Sequence, residues 1–184
     1  MFIQTEQTPN PATLKFLPGR AVLTTGTANF PDAESAVRSP LAQKLFALDG
    51  VAGVFLGYDF ITITKAPETD WYALKPAVLG AIMDAYTTGL AAMQPDAVST
   101  PGSTANDDDD EIVSQIKELI DTRVRPAVAQ DGGDIIFHGF DNGIVYLHMQ
   151  GSCAGCPSST ATLKSGIENM LRHYIPEVSE VQAV

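Results

Sequence analysis

A tract without any apolar pattern, "MQPDAVSTPGSTANDDDD" beginning at Met93, interrupts the chain near its middle and limits what the rest can build. Pro, Ser, Thr, Gly, Asn and Asp fill it, and neither a helical nor a strand period runs through it, which is the composition of a flexible linker. The four aspartates 107–110 read as a solvated run that also brings acid to the positive end of the helix that follows. In a chain of 184 residues this leaves two small domains, 1–92 and 110–184, joined by an acidic linker over 93–109.

Each half mixes strand and helix patterns, so the expected fold class is α+β. In the first half "FIQTEQT" and "TLKFL" read as strands either side of the turn "PNPA", and "PLAQKLFAL" at 40–48 reads as a short helix. "VAGVFLGYDFITITK" reads as a hairpin turning near Gly57 to Asp59. Leu74, Val78, Ile82 and Tyr86 then give a helical period over 71–90, with Pro76 early enough in it to be tolerated. This half offers no constellation of ligands.

The second half opens on an apolar stripe, Ile112, Ile116, Leu119, Ile120 and Val124, which predicts one helix over 110–128. "QDGGD" breaks it. Two hydrophobic runs, "IIFHGF" and "IVYLHMQ", follow with Asp141, Asn142 and Gly143 between them, and Asn-Gly in that place is a strong hairpin signal. A second stripe, Leu163, Ile167, Met170, Leu171 and Tyr174, predicts a helix from Pro157 to just before Pro176, and "EVSEVQAV" a short closing strand. The expected order is helix, β-hairpin, CxxC loop, helix, strand.

The loop holds the chemistry. Cys153 and Cys156, in "GSCAGCPSS", are the whole cysteine stock of the chain, three positions apart between a strand and a helix. Unpaired N–H groups at the helix start favour a thiolate there, and Gly151 and Gly155 leave space for a ligand to come close. Thiol–disulfide exchange is one use of such a pair, but thioredoxin-like proteins reach their C-x-x-C from a βαβ unit, whereas this loop follows the second arm of a hairpin. Zinc is another, but a closed site needs four ligands, and His138, His148 and His173 read as ordinary strand or helix residues. An iron–sulfur cluster is the third: it takes four thiolates, one chain supplies half, and two chains related by symmetry would supply all four.

Charge and composition remove other classes. The formal net charge of −11 is wrong for a nucleic-acid partner, which needs clustered Lys and Arg. The longest apolar stretches fall far below the roughly 18 residues that span a bilayer, so no membrane role is expected. The N-terminus lacks the basic start and apolar run of a secretory signal, and a reducing compartment is the default for the cysteine pair.

"DGGD" at 131–134, "DNGIVYLHMQGSCAGCPSSTATLK" at 141–164 and "IPEV" at 175–178 resemble the C-terminal domain of NifU-like (Nfu) proteins, the iron–sulfur scaffold and carrier family. "QTEQTPNPATLKFLPG", "SPLAQKLFALDGV" and "FITITK" resemble that family's N-terminal domain of the mitochondrial and alphaproteobacterial type, so the resemblance covers nearly the whole chain. It implies assembly of a [4Fe-4S] cluster, with [2Fe-2S] the alternative, on a homodimer through Cys153 and Cys156. It also implies receipt from upstream assembly proteins and delivery to client apoproteins, a role that is not enzymatic. A dithiol oxidoreductase is the rival. The family block begins at Met1, so a bacterial cytoplasm is expected ahead of a processed form in the mitochondrial matrix.

Overall fold

The computed structural model describes residues 1–94, 111–154 and 157–184, the backbone alone for 157–159, and divides the chain into two compact units, Met1–Pro101 and Gly102–Val184. The tract 95–110, which holds most of the expected linker, lies outside the described residues, as do Gly155 and Cys156. The fold class is α+β, as the sequence predicts.

In the first unit, β1 (Gln4–Gln7), β2 (Thr13–Leu17), β3 (Ala28–Phe30), β4 (Val51–Leu56) and β5 (Ile61–Lys65) form an antiparallel sheet in the order β1-β2-β5-β4-β3. Alternation along the strands turns Leu14, Phe16, Val54, Leu56, Ile61 and Ile63 into one core with Leu41 and Leu45 of α1 (Pro40–Phe46) and Leu74, Val78 and Ile82 of α2 (Trp71–Thr87). The strand β3 was not legible in the sequence, because three residues are too few to show a period. The helix α2 stops three residues short of the expected 90. Gly89 takes a φ of 68°, and the Leu90 N–H reaches back to the Ala85 carbonyl at 2.8 Å, the closing bond of a Schellman turn. Met93 packs against this core and the Gln94 N–H donates to the Arg38 carbonyl at 3.0 Å.

The second unit departs from its expected single first helix. It runs as α3 (Glu111–Leu119), a π turn (Ile120–Val124) and α4 (Arg125–Gln130). The Arg125 N–H donates to the Ile120 carbonyl, five residues back, and Pro126 follows with no N–H to give, so the regular ladder cannot pass through this point. Ile116, Ile120, Val124 and Val128 are buried, while Ile112 and Leu119 pack at the margin.

β6 (Gly133–Asp141) and β7 (Ile144–Gly151) form the expected hairpin, with Asn142 at φ 49° and Gly143 at φ 81° in its two-residue turn. Positive φ at both positions matches the twist of the strands, and Asn and Gly are the residues that tolerate it. Val145, Leu147 and Met149 of β7 face the core, where they meet Ile167 and Leu171 of α5 (Pro157–Tyr174). Tyr174, expected on that stripe, is exposed. The last strand, β8 (Glu180–Ala183), pairs with β7 in parallel, giving a sheet in the order β6-β7-β8. No helix among the described residues is long and apolar enough to cross a membrane.

Candidate metal centre

The hairpin delivers the cysteine loop to the edge of this core. β7 ends at Gly151, whose φ of 64° turns the chain away from the strand, and the Ala154 N–H closes a tight turn onto the Gly151 carbonyl at 3.1 Å. Cys153 is therefore drawn inward. It is 6% exposed and packs with the apolar residues of the second unit. Ser152 pins the loop to the helix-to-strand turn: its hydroxyl donates to the Asp131 carbonyl and its N–H to the Gly132 carbonyl at 3.3 Å. On the other side the Thr160 hydroxyl of α5 donates to the Cys153 carbonyl at 3.1 Å.

Gly133 forms the wall behind the sulfur. A Cβ built on it would fall onto Cys153 Sγ and would lie 2.9 Å from the Gln150 carbonyl oxygen and 3.1 Å from the Cys153 nitrogen. Real side chains do not tolerate such contacts, so this position admits glycine alone without a shift of the loop. Beside it, the Asp134 carboxylate is buried and gripped by Arg125, Nε to Oδ1 and Nη2 to Oδ2, each at 2.9 Å. The bond to Asp134 raises the already high pKa of the guanidinium.

Burial pushes the Cys153 thiol up to about 11; a hydrogen bond with Ser152 opposes the shift, and the nearby Asp131 and Asp134 add to it. The helix start, where the sequence expects a thiolate, does not reach this cysteine. Its place explains the raised value: α5 begins four residues later, at Pro157, while Cys153 itself lies in apolar surroundings that disfavour charge. The other predicted ligand, Cys156, lies outside the described residues.

The topology around the loop corrects one expectation. β7 is the second arm of a hairpin, but β7, α5 and the parallel β8 also make a strand–helix–strand crossover, so the loop does lie within a βαβ unit. Topology alone therefore no longer counts against thiol–disulfide exchange. The state of the thiol counts instead, since a buried, protonated sulfur is a poor nucleophile.

The histidines do not converge on the loop. His138 and His173 are exposed, the latter edge-on to the Tyr174 ring, and the His148 Nδ1 lies 2.9 Å from the Val184 carbonyl oxygen. Among the described residues no three of His, Cys, Asp and Glu stand where they could hold one metal ion. The chemistry present is a soft sulfur donor backed by the Gly133 backbone. That suits iron–sulfur cargo better than a hard cation.

Comparison with known proteins decides the family. Residues 3–89 match the model described as scaffold protein Nfu/NifU N terminal, and residues 116–182 match the NifU-like domain. The chain belongs to the NifU-like (Nfu) family. It is 54% identical over 185 residues to the human "NFU1 iron-sulfur cluster scaffold homolog, mitochondrial", covering 100% of this chain and 72% of that protein. To "NifU-like protein 4, mitochondrial" of Arabidopsis thaliana it is 51% identical, over 99% of this chain and 65% of the other. A solution structure of a NifU-like protein from Saccharomyces cerevisiae aligns over 52% of this chain and 86% of its own, at 25% identity and a TM-score of 0.47. The names of the human and Arabidopsis relatives overturn the expectation of a bacterial cytoplasm, since both are called mitochondrial.

Sequence reasoning missed the parts that surround the thiol. Gly133 and Asp134 stand in "DGGD", read as a helix breaker and as part of the family resemblance, and two adjacent glycines before an acid at a strand start were the available signal. The pairing of Asp134 with Arg125, nine residues away across a turn, left none.

Proposed function

We propose that this Nfu protein receives or assembles an iron–sulfur cluster as cargo, holds it between two copies of the chain and passes it to client apoproteins. The observation that carries the reading is the cysteine stock, two thiols in one loop of a NifU-like domain, which meets a four-thiolate requirement only when a second chain joins. Cys153 and Cys156 of each chain are the ligands and [4Fe-4S] is the cluster type. Upstream assembly proteins supply it. The names of the relatives, iron–sulfur cluster scaffolds, support the coarse role.

The apo state of Cys153 suits a carrier. When the cluster leaves, the Cys153 sulfur recovers its proton, which offsets part of the loss of the metal bonds. Loading must displace that proton, so cargo binding releases protons to solvent. The same protonated, buried thiol weighs against the oxidoreductase reading. No chemical turnover is assigned to the chain, whose work is binding and release.

The domains divide this work. Residues 110–184 hold the cluster, and the first unit, which runs through Gln94, recognises partners. The test is anaerobic reconstitution with iron and sulfide, followed by absorption at about 400 nm and by iron analysis. Wild-type protein should take up iron, whereas Cys153→Ala and Cys156→Ala should each stay nearly iron-free while keeping a cooperative unfolding transition. Iron content equal to wild type in either variant contradicts the ligand assignment.

A further inference from the structure

We infer that Arg125 and Asp134 are a positioning pair that holds the wall behind the Cys153 sulfur in place. The inference deepens the cluster-carrier reading and rests on it for its consequence, though not for its first test. Arg125 grips both Asp134 oxygens at 2.9 Å, and Asp134 Oδ1 also accepts the Ile135 N–H at 2.8 Å. The first residue of α4 is thereby tied to the second residue of β6. Gly133, which meets Cys153, is the adjacent residue. Across the hairpin Asp134 pairs with Gln150 and Gly133 with Gly151, so the tie fixes both strands at the root of the cysteine loop. Arg125 is itself aimed from behind, by its N–H bond to the Ile120 carbonyl in the π turn and by Nη1 against Asp121 Oδ1 at 3.2 Å.

Net stability is a weak reason for such a pair. Desolvation offsets much of the attraction between buried charges, and apolar replacements of similar volume often fold as well or better. What a two-point guanidinium–carboxylate grip supplies is direction, because its planar geometry permits one approach where a lysine permits many. Here that direction sets how closely the Gly133 backbone closes on the sulfur.

The test uses the full chain without metal and with Cys156→Ser, so that Cys153 is the sole thiol. Alkylation of Cys153 by iodoacetamide is followed by mass spectrometry at fixed, near-neutral pH, beside urea unfolding of the same samples. Arg125→Lys keeps the charge and loses the fork; Arg125→Met combined with Asp134→Leu removes both charges and keeps the volume. Each should speed alkylation by about tenfold through local opening, with an unfolding midpoint close to the parent's. In the two-cysteine background the same substitutions should speed the loss of a loaded cluster to a chelator by a similar factor.

Alkylation within roughly twofold of the parent, in a variant that still folds, overturns the inference. A rise seen only in variants that no longer unfold cooperatively, or no larger than their lost global stability accounts for, makes the pair an ordinary structural contact and overturns it as well. Should the wild-type chain fail to hold any iron, the carrier reading falls while alkylation still judges the pair.

Discussion

Gly133 stands against Cys153 so closely that any side chain at 133 would clash with the sulfur. The relationship joins two parts of the sequence that lie twenty residues apart, the glycine pair that follows α4 and the loop that follows β7. It makes the glycine as much a part of the site as the thiol.

Gly133→Ala should therefore displace the loop. The added methyl also meets the Gln150 carbonyl and the Cys153 nitrogen, both backbone, so neither can rotate aside. Overpacking of this kind costs about 1–3 kcal/mol, and urea unfolding of the metal-free protein should show that loss together with poor iron retention after reconstitution. Unaltered stability and full iron content would mean that the loop yields without consequence.

The raised pKa of Cys153 predicts a pH dependence whose sign follows from linkage. The folded thiol keeps its proton up to about 11, whereas the unfolded one releases it near the ordinary thiol value of 9.0, so the folded state binds more protons between those limits. The associated stability is complete below the unfolded pKa and is lost as pH rises toward the folded one. Compared with a Cys153→Ser control, the metal-free chain should lose about 1 kcal/mol of extra stability between roughly pH 7.5 and roughly pH 10. Parallel pH profiles for the two proteins would contradict the burial of a neutral thiol.

A fragment of residues 108–184 should still assemble a cluster, since both candidate ligands and the residues that surround Cys153 belong to the second unit. Its delivery to an apoprotein should be slower than that of the full chain, because the first unit is assigned to partner recognition. The comparison is of iron content and of the rate at which a cluster-dependent client regains activity. A folded fragment that takes up no iron would refute this division of labour.

What could be read from the sequence depended on how locally each feature is encoded. The Asn142–Gly143 turn and the alternation of Val145, Leu147 and Met149 are local, and the hairpin followed from them directly. Leu74, Val78 and Ile82 likewise announced α2. The π turn did not show, because the apolar stripe through Ile120 and Val124 continues across it and only the missing N–H of Pro126 hinted at a break. The thiol's environment was less legible still. Proximity to a helix start bears on Cys156, the last of the pair, whereas the inward turn at Gly151 and the apolar neighbours of Cys153 set the state of the first, and these depend on how distant elements pack. The parallel pairing of β8 with β7 belongs to the same class of long-range fact.

The central claim is that the cluster and the dimer are one event, and size-exclusion chromatography with light scattering under strict anaerobiosis tests it most directly. Matched metal-free and reconstituted samples are run with iron and sulfide analysis on the eluted peaks. Because cargo binds only the paired state, loading should shift the association by mass action, and a chelator should reverse it. The account predicts a monomer without metal and a dimer holding about four irons per two chains with it. A monomer that carries a full complement of iron and sulfide would contradict it.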